Sequence, residues 1–381
     1  MSNQPLPPHQ ACGTLRCVPG KKKKLKGSPP RAGKPGSRVS LKSLAYHLQL
    51  SPATVSLVMN RSAVADSIPQ ETQERIFAAA RKYNYCPSFL ARSLRTQRSF
   101  IIGVLVPEVS EGYAAMVMSG IEDHLLQAGY FYFVASHRHR PDLIDEYPKL
   151  LLARAADGLI AVDTPWTHDA LPVPVVTISG HNEVKGVTNI LLDHARAAEL
   201  ALEHLVKLGH RRVAFIKGQE FSSDTEIRWS AIRQAASRLG LTIHAELTTQ
   251  LRGDVPTPDL GYQVTQKLIA RHLSFTALFS FNDISAIGAI RALRESGLRI
   301  PEDVSVVGFD DIQSAAFQNP GLTTVRQPLR KMGVIAAESL LRRISQPGSD
   351  CCPKRITVEP ELIIRESTGL ALVCGPDPQR T

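Results

Sequence analysis

An enzyme needs a nucleophile with its base, facing carboxylates or a cluster of metal ligands, and this 381-residue sequence offers few such sets. Asp310 and Asp311 are adjacent, so their side chains do not face one another as an acid–base pair. His204 and His210 are six apart, which does not suit one helix face. His137 and His139 could share a cation, but Arg138 and Arg140 beside them repel it. There is no P-loop and no GxGxxG. Cys12, Cys17, Cys86, Cys351, Cys352 and Cys374 form no CxxC pairing and read as free thiols in a reducing cytoplasm. The chain is therefore expected to be a non-enzyme, with no catalytic residue, no metal site and no cofactor.

Charge is the stronger signal. The chain carries 45 Lys and Arg against 35 Asp and Glu, a net +10, but unevenly. Residues 1–99 hold 17 basic residues against Asp66, Glu71 and Glu74, a net +14, and residues 100–381 hold 28 against 32, a net −4. A basic head on a mildly acidic body points the head toward a polyanion. With 43% apolar residues the body can bury a core. No run approaches the ~18 apolar residues of a membrane span, and the start of the chain lacks the apolar stretch of a signal peptide.

Three kinds of element must hold these residues. Residues 1–37 carry eight basic residues, no acids and seven prolines, so a disordered arm is expected, either a polybasic DNA tether or a solvated tail. From Arg38 to Tyr85, apolar residues recur at helical spacing (Leu41, Leu44, Ala45, Leu48; Val55, Val58, Met59; Ile76, Phe77, Ala80). Ser51 before Pro52 is an N-cap followed by an N1 proline, close behind the preceding helical run. That is helix-turn-helix spacing. After Arg98 the pattern changes. FIIGVLV (Phe100 to Val106) reads as a strand buried on both faces, and further buried strands are expected at Tyr130–Ala135, Gly158–Val162, Val173–Ile178, Arg212–Ile216, Ala277–Ser280 and Val304–Gly308. These alternate with helices, and about nine units are too many for one open sheet. Two α/β lobes with parallel sheets follow, with a ligand cleft between them.

Val39–Asn60 (VSLKSLAYHLQLSPATVSLVMN), Glu71–Pro107, Leu208–Ile216 (LGHRRVAFI), Asn282–Asp311 and Leu322–Pro328 (LTTVRQP) resemble, in that order, the LacI/GalR family of bacterial transcription regulators. The resemblance implies an N-terminal all-α helix-turn-helix head (38–86), a hinge helix and linker (87–98), and a C-terminal two-lobed α/β body of the periplasmic-binding-protein-like type I (99–381). It implies a cytoplasmic repressor, a homodimer or higher oligomer, partnered by double-stranded operator DNA and a small-molecule effector such as a sugar or sugar derivative, with no membrane partner. On this resemblance Pro52, Ala53 and Leu57 face base edges, while Ser40, Ser51, Thr54, Ser56 and Asn60 hold phosphates. Leu57 stands where many relatives have Arg, so apolar contact with thymine methyl groups replaces bidentate readout of guanine. Gln49 replaces the turn glycine and is expected to need a left-handed conformation. Leu94 matches a minor-groove wedge, with packing between hinge helices as the alternative, and Arg92 and Arg95 lie beside phosphates.

For the effector, the resemblance offers Tyr113, Arg228, Asn282 and Asp310. An Arg fork and a carboxylate suit a polyhydroxylated or anionic molecule. The plain alternatives are an Arg228–Glu226 surface pair and a turn capped by Asp310 or Asp311. Ala114 and Val255 stand where relatives often have aromatics, which weakens stacking. His137–Arg140 is expected to be a solvated basic loop, with a cluster that favours an acidic sugar or phosphate as the alternative, and Trp166 is either a pocket wall or a surface residue. A regulator that has lost effector control and a free solute-binding protein are the alternative readings.

Overall fold

In the computed structural model, residues 39–60, 62–85, 93, 97–109, 112–168, 171–253, 256–348 and 352–372 are described. The arm 1–37, the hinge residues Leu90, Arg92, Leu94 and Arg95, and Val255 lie outside them. The chain divides into two units at Phe89/Leu90.

In the first unit, polar caps set the helices α1 (Leu41–Leu48) and α2 (Pro52–Met59), and a 3-10 turn (Ala63–Ser67) leads into α3 (Gln70–Lys82). Ser40 Oγ accepts from Ser43 N, and Ser51 Oγ accepts from Thr54 N with Pro52 at N1. Each cap satisfies a backbone donor that the first turn leaves unpaired. Leu44, Ala45, Val55, Val58, Ile76 and Ala80 close the small core. Between α1 and α2, Gln49 adopts φ 56°, ψ 34°, and its N–H bonds back to Ala45 O and Tyr46 O. A side chain in that conformation costs about 1–2 kcal/mol that glycine avoids. Gln49→Gly should therefore stabilise the unit by about 1 kcal/mol, seen as slower amide exchange in α1 and α2. Unchanged exchange would show that the turn carries no strain.

In the second unit, chain order gives β1 (Ile101–Val106), α4 (Tyr113–Gln127), β2 (Phe131–Ser136), α5 (Pro141–Ala153), β3 (Gly158–Val162), β4 (Val175–Ile178), β5 (Val187–Leu192) and α6 (His194–Lys207). Then come β6 (Val213–Lys217), α7 (Asp224–Arg238), β7 (Thr248–Gln250), α8 (Pro258–Ile269), β8 (Ala277–Ser280), α9 (Asp283–Glu295), β9 (Ser305–Asp310) and α10 (Gln313–Ala316). The chain ends with β10 (Thr323–Arg326), α11 (Leu329–Ser345), β11 (Arg355–Val358) and β12 (Glu361–Ile363).

These form two six-stranded sheets, ordered β11-β5-β4-β3-β1-β2 and β12-β10-β9-β8-β6-β7. All pairings are parallel except β10 with β12. The chain thus passes between the sheets three times, after β5, after β10 and after β11. The two lobes expected from the repeated strand–helix pattern are present. Helix α9, which carries part of the cleft at its start, approaches α8 closely because Gly288 lies against it. A Cβ there would fall 1.8 Å from Pro258 O.

One strand differs from expectation. The apolar run Tyr130–Ala135 suggested burial on both faces, but β2 is the edge of its sheet, with Phe131 61%, Phe133 37% and Val134 40% exposed. Apolarity alone does not distinguish a buried central strand from an edge strand with an apolar open face. Strands β5, β7, β10, β11 and β12 are not among those expected from the apolar runs. Several are short, and β11 and β12 have the mixed burial of sheet edges.

Candidate functional site

The four residues singled out for an effector converge. Tyr113 at the start of α4, Arg228 in α7, Asn282 at the start of α9 and Asp310 at the end of β9 line one cavity of about 70 Å³, with Asp163, Asp224, His139, Gln219, Phe221 and Phe281 around them. The cavity lies at the carboxyl ends of the strands, where open parallel sheets bind ligands. Its backbone is also unusual. Arg138, His139, Asp163, Ser179, His181, Asp310 and Asp311, at the ends of β2, β3, β4 and β9, all have φ between 40° and 113°. Non-glycine residues held in that region cluster at functional sites.

Arg228 is 3% exposed. Its guanidinium lies 3.7 Å from the Phe309 ring centroid and 4.4 Å from that of Phe281. Nη1 donates to Phe281 O at 2.5 Å and Nη2 to Asp224 Oδ2 at 3.1 Å, while Nε has no partner among the described residues. The surface pairing with Glu226 does not occur, since Glu226 meets Lys217 at 3.2 Å. Asp310 Oδ1 accepts from Gln327 Nε2 at 2.6 Å, whereas Asp311 pairs with Arg326 and Arg365 away from the cavity. Tyr113 Oη and Ser179 Oγ are 2.9 Å apart. Asn282 caps α9, its Oδ1 accepting from Ser285 N and Oγ.

Sequence reasoning missed the group that joins the lobes. Asp224 Oδ1 accepts from His181 Nε2 at 2.6 Å and His194 Nε2 at 3.3 Å. Asp163 accepts from Ser223 N and Oγ, and Ser223 Oγ also reaches Ser179 O. These residues sit singly at the ends of β3, β4 and β5 and before α7, so no local spacing marks them. The basic cluster is not a solvated loop either. His137 is fully buried against Thr164 Oγ1 at 2.9 Å, its pKa lowered by burial, and by His139 nearby, to about 4. His139 stacks on Phe221 at 3.8 Å, and only Arg138 and Arg140 of the four are exposed. Trp166 is neither a wall of this cavity nor a surface residue. It is 1% exposed and packs with Leu105, Leu159 and Val187.

Burial also sets the charge states. Asp163 and Asp310 are pushed up to about 7, in both cases chiefly by desolvation, with neighbouring carboxylates adding to it. Burial acts the same way on Asp224, but His194, His181 and Arg228 overcome it and hold that carboxyl well below its usual range. In the first unit, Pro52 and Ala53 are exposed and Leu57 half-buried on α2. Ser51 and Thr54 share a hydroxyl contact of 2.8 Å, and Asn60 Nδ2 donates to Ser56 O and Oγ. Ser40 caps α1. Arg92 and Leu94 lie outside the described residues.

A periplasmic binding protein-like domain model matches residues 202–368. The Haemophilus influenzae HTH-type transcriptional repressor PurR is 32% identical over 337 residues, covering 86% of this chain and 98% of that protein. The chain belongs to the LacI/GalR family. It is an effector-controlled DNA-binding transcriptional repressor. The lac repressor dimer bound to operator and the anti-inducer ONPF matches with TM-score 0.74 and 25% identity over 87% of this chain and all of that one. A LacI family regulator from Enterococcus faecium with bound ribose matches with TM-score 0.62 and 27% identity over 71% of this chain and 99% of that one.

The raised pKa of Asp310 gives this regulator a pH signature. Its native carboxyl holds a proton more tightly than the unfolded one, so its contribution is full below about pH 4 and is lost as pH rises through about 7. The melting temperature of the wild type should fall relative to Asp310→Asn between about pH 5 and about pH 8, by several degrees. Parallel curves would mean that Asp310 does not titrate in that range.

Proposed function

We propose that this repressor binds a near-palindromic operator as a homodimer in the bacterial cytoplasm and is controlled by a small, neutral, polyhydroxylated molecule in the interlobe cavity. The observation that carries the reading is the convergence of Tyr113, Arg228, Asn282 and Asp310, from both lobes, on one acid-rich cavity. Carboxylates accept from hydroxyl groups, and the fork of Arg228 is already engaged by Asp224 and Phe281 O, which disfavours capture of an anion. The ribose-bound relative supports a sugar-sized ligand. Sugars, polyols, sugar acids and sugar phosphates should be compared by thermal shift on the full chain. Neutral compounds are expected to stabilise it, and a shift confined to the acids or phosphates would overturn the assignment.

The exposed apolar face of β2, with Leu126 of α4 also exposed, suits burial against a second copy. On the operator, Pro52, Ala53 and Leu57 meet base edges, Ser40, Ser51, Thr54, Ser56, Asn60 and Arg92 hold phosphates, and Leu94 wedges the central step. Leu94→Ala should weaken operator binding at least tenfold by titration while leaving the ligand-induced thermal shift intact. Equal operator affinity would remove the wedge.

A further inference from the structure

The geometry points to a second ligand of the cleft, a divalent transition-metal cation of the zinc class, held between the lobes by Nε2 of His181, Nε2 of His194 and Oδ1 of Asp224. The three ligand atoms lie within 4.8 Å of one another. Both imidazoles approach the same oxygen, at 2.6 Å and 3.3 Å. A tetrahedral cation with bonds of ~2.0–2.1 Å holds its ligand atoms about 3.3 Å apart, so small adjustments admit it. Two N–H groups directed at one carboxylate oxygen are the arrangement that one cation replaces, binding three lone pairs where two protons stood.

The surroundings fit a cation. Arg228 takes the other oxygen, Oδ2, at 3.1 Å and fixes the carboxylate so that Oδ1 faces the imidazoles, the role that outer partners play for metal-bound carboxylates. Asp163, Asp224 and Asp310 are buried in the cleft against the single guanidinium of Arg228, a surplus of negative charge that a divalent ion offsets. Two imidazoles and one carboxylate select zinc, cobalt or nickel over magnesium or calcium. His181 follows β4 in one lobe, whereas His194 opens α6, which packs on the other lobe's β10, β12 and α7, and Asp224 opens α7 there, so the ion ties His181 of one lobe to two ligands of the other. The His181 side chain is 13% exposed, which leaves a path for entry. An oxygen donor, water or an effector hydroxyl, completes the coordination. The site is independent of the organic effector's identity and stands even if no sugar binds.

The test is titration of chelator-stripped full-length protein with Co²⁺, read by visible absorption, and with Zn²⁺, read by thermal shift. One equivalent of Co²⁺ should give the intense d–d bands of a four-coordinate ion, and Zn²⁺ should raise the melting temperature. The variant His181→Gln/His194→Gln keeps amide donors for Asp224, so folding can be checked by circular dichroism. Its metal affinity should fall at least a hundredfold. Absence of bands up to millimolar Co²⁺, bands undiminished in the double variant, or a thiolate charge-transfer band showing cysteine ligation would each overturn the proposal.

Discussion

A guanidinium buried in the cleft is the constraint on which the rest of the site depends. An unpaired buried charge is not tolerated, so the fold must supply Arg228 with partners from several elements. The end of β8 gives Phe281 O, β9 gives the Phe309 ring, and the first residue of α7 gives Asp224 one turn earlier on the same helix. Removing either member of the Asp224–Arg228 pair strands the other, which costs several kcal/mol in comparable pairs. The pair therefore fixes the relative placement of α7, β8 and β9. It also leaves Asp224 Oδ1 free to meet His181 of the opposite lobe and His194 at the start of α6. Closure of the lobes and burial of the arginine are one arrangement.

That arrangement places negative charge in excess. Asp163 is satisfied by Ser223 and Asp310 by Gln327, both through neutral donors. Desolvation by burial pushes both carboxyls up to about 7, neighbouring carboxylates add to it, and these hydrogen bonds only partly offset it. The seven positive-φ residues at the strand ends belong to the same logic. They turn Asp163, His181 and Asp310 into the cleft at backbone cost, and the cost persists only where surrounding contacts over-determine the conformation.

Much of this was legible in the sequence, for identifiable reasons. Ser51–Pro52 announces a helix start because capping and proline geometry are local, and Gln49 in the place of a turn glycine announces its left-handed backbone. FIIGVLV marks a central strand because it is buried on both faces. Tyr113, Arg228, Asn282 and Asp310 were legible only through family resemblance, since their convergence is a property of the fold. Their partners were not legible. Asp163, His181, His194 and Asp224 are scattered over about sixty residues and meet only when two sheets close. His137 was misread because a run of His and Arg resembles a solvated surface, whereas alternate residues leaving a strand point to opposite sides, one into the core beside Thr164.

The contacts between the lobes also bear on how such a regulator switches. A ligand shifts an equilibrium only by its differential affinity for the two states, and here the lobes already have contacts of their own: Ser223 on Asp163, His181 on Asp224, and His139 stacked on Phe221. An effector that enters must part these contacts or exploit them. If it replaces their hydrogen bonds with its own hydroxyl groups, closure is preserved and binding gains only the difference. If it cannot, each buried carboxylate left unpaired opposes it. Discrimination in this cleft therefore resides less in the apolar walls, from which Ala114 removes one stacking surface, than in whether a ligand can reproduce the hydrogen-bond pattern that Ser223, Gln327 and the two histidines present to the three aspartates.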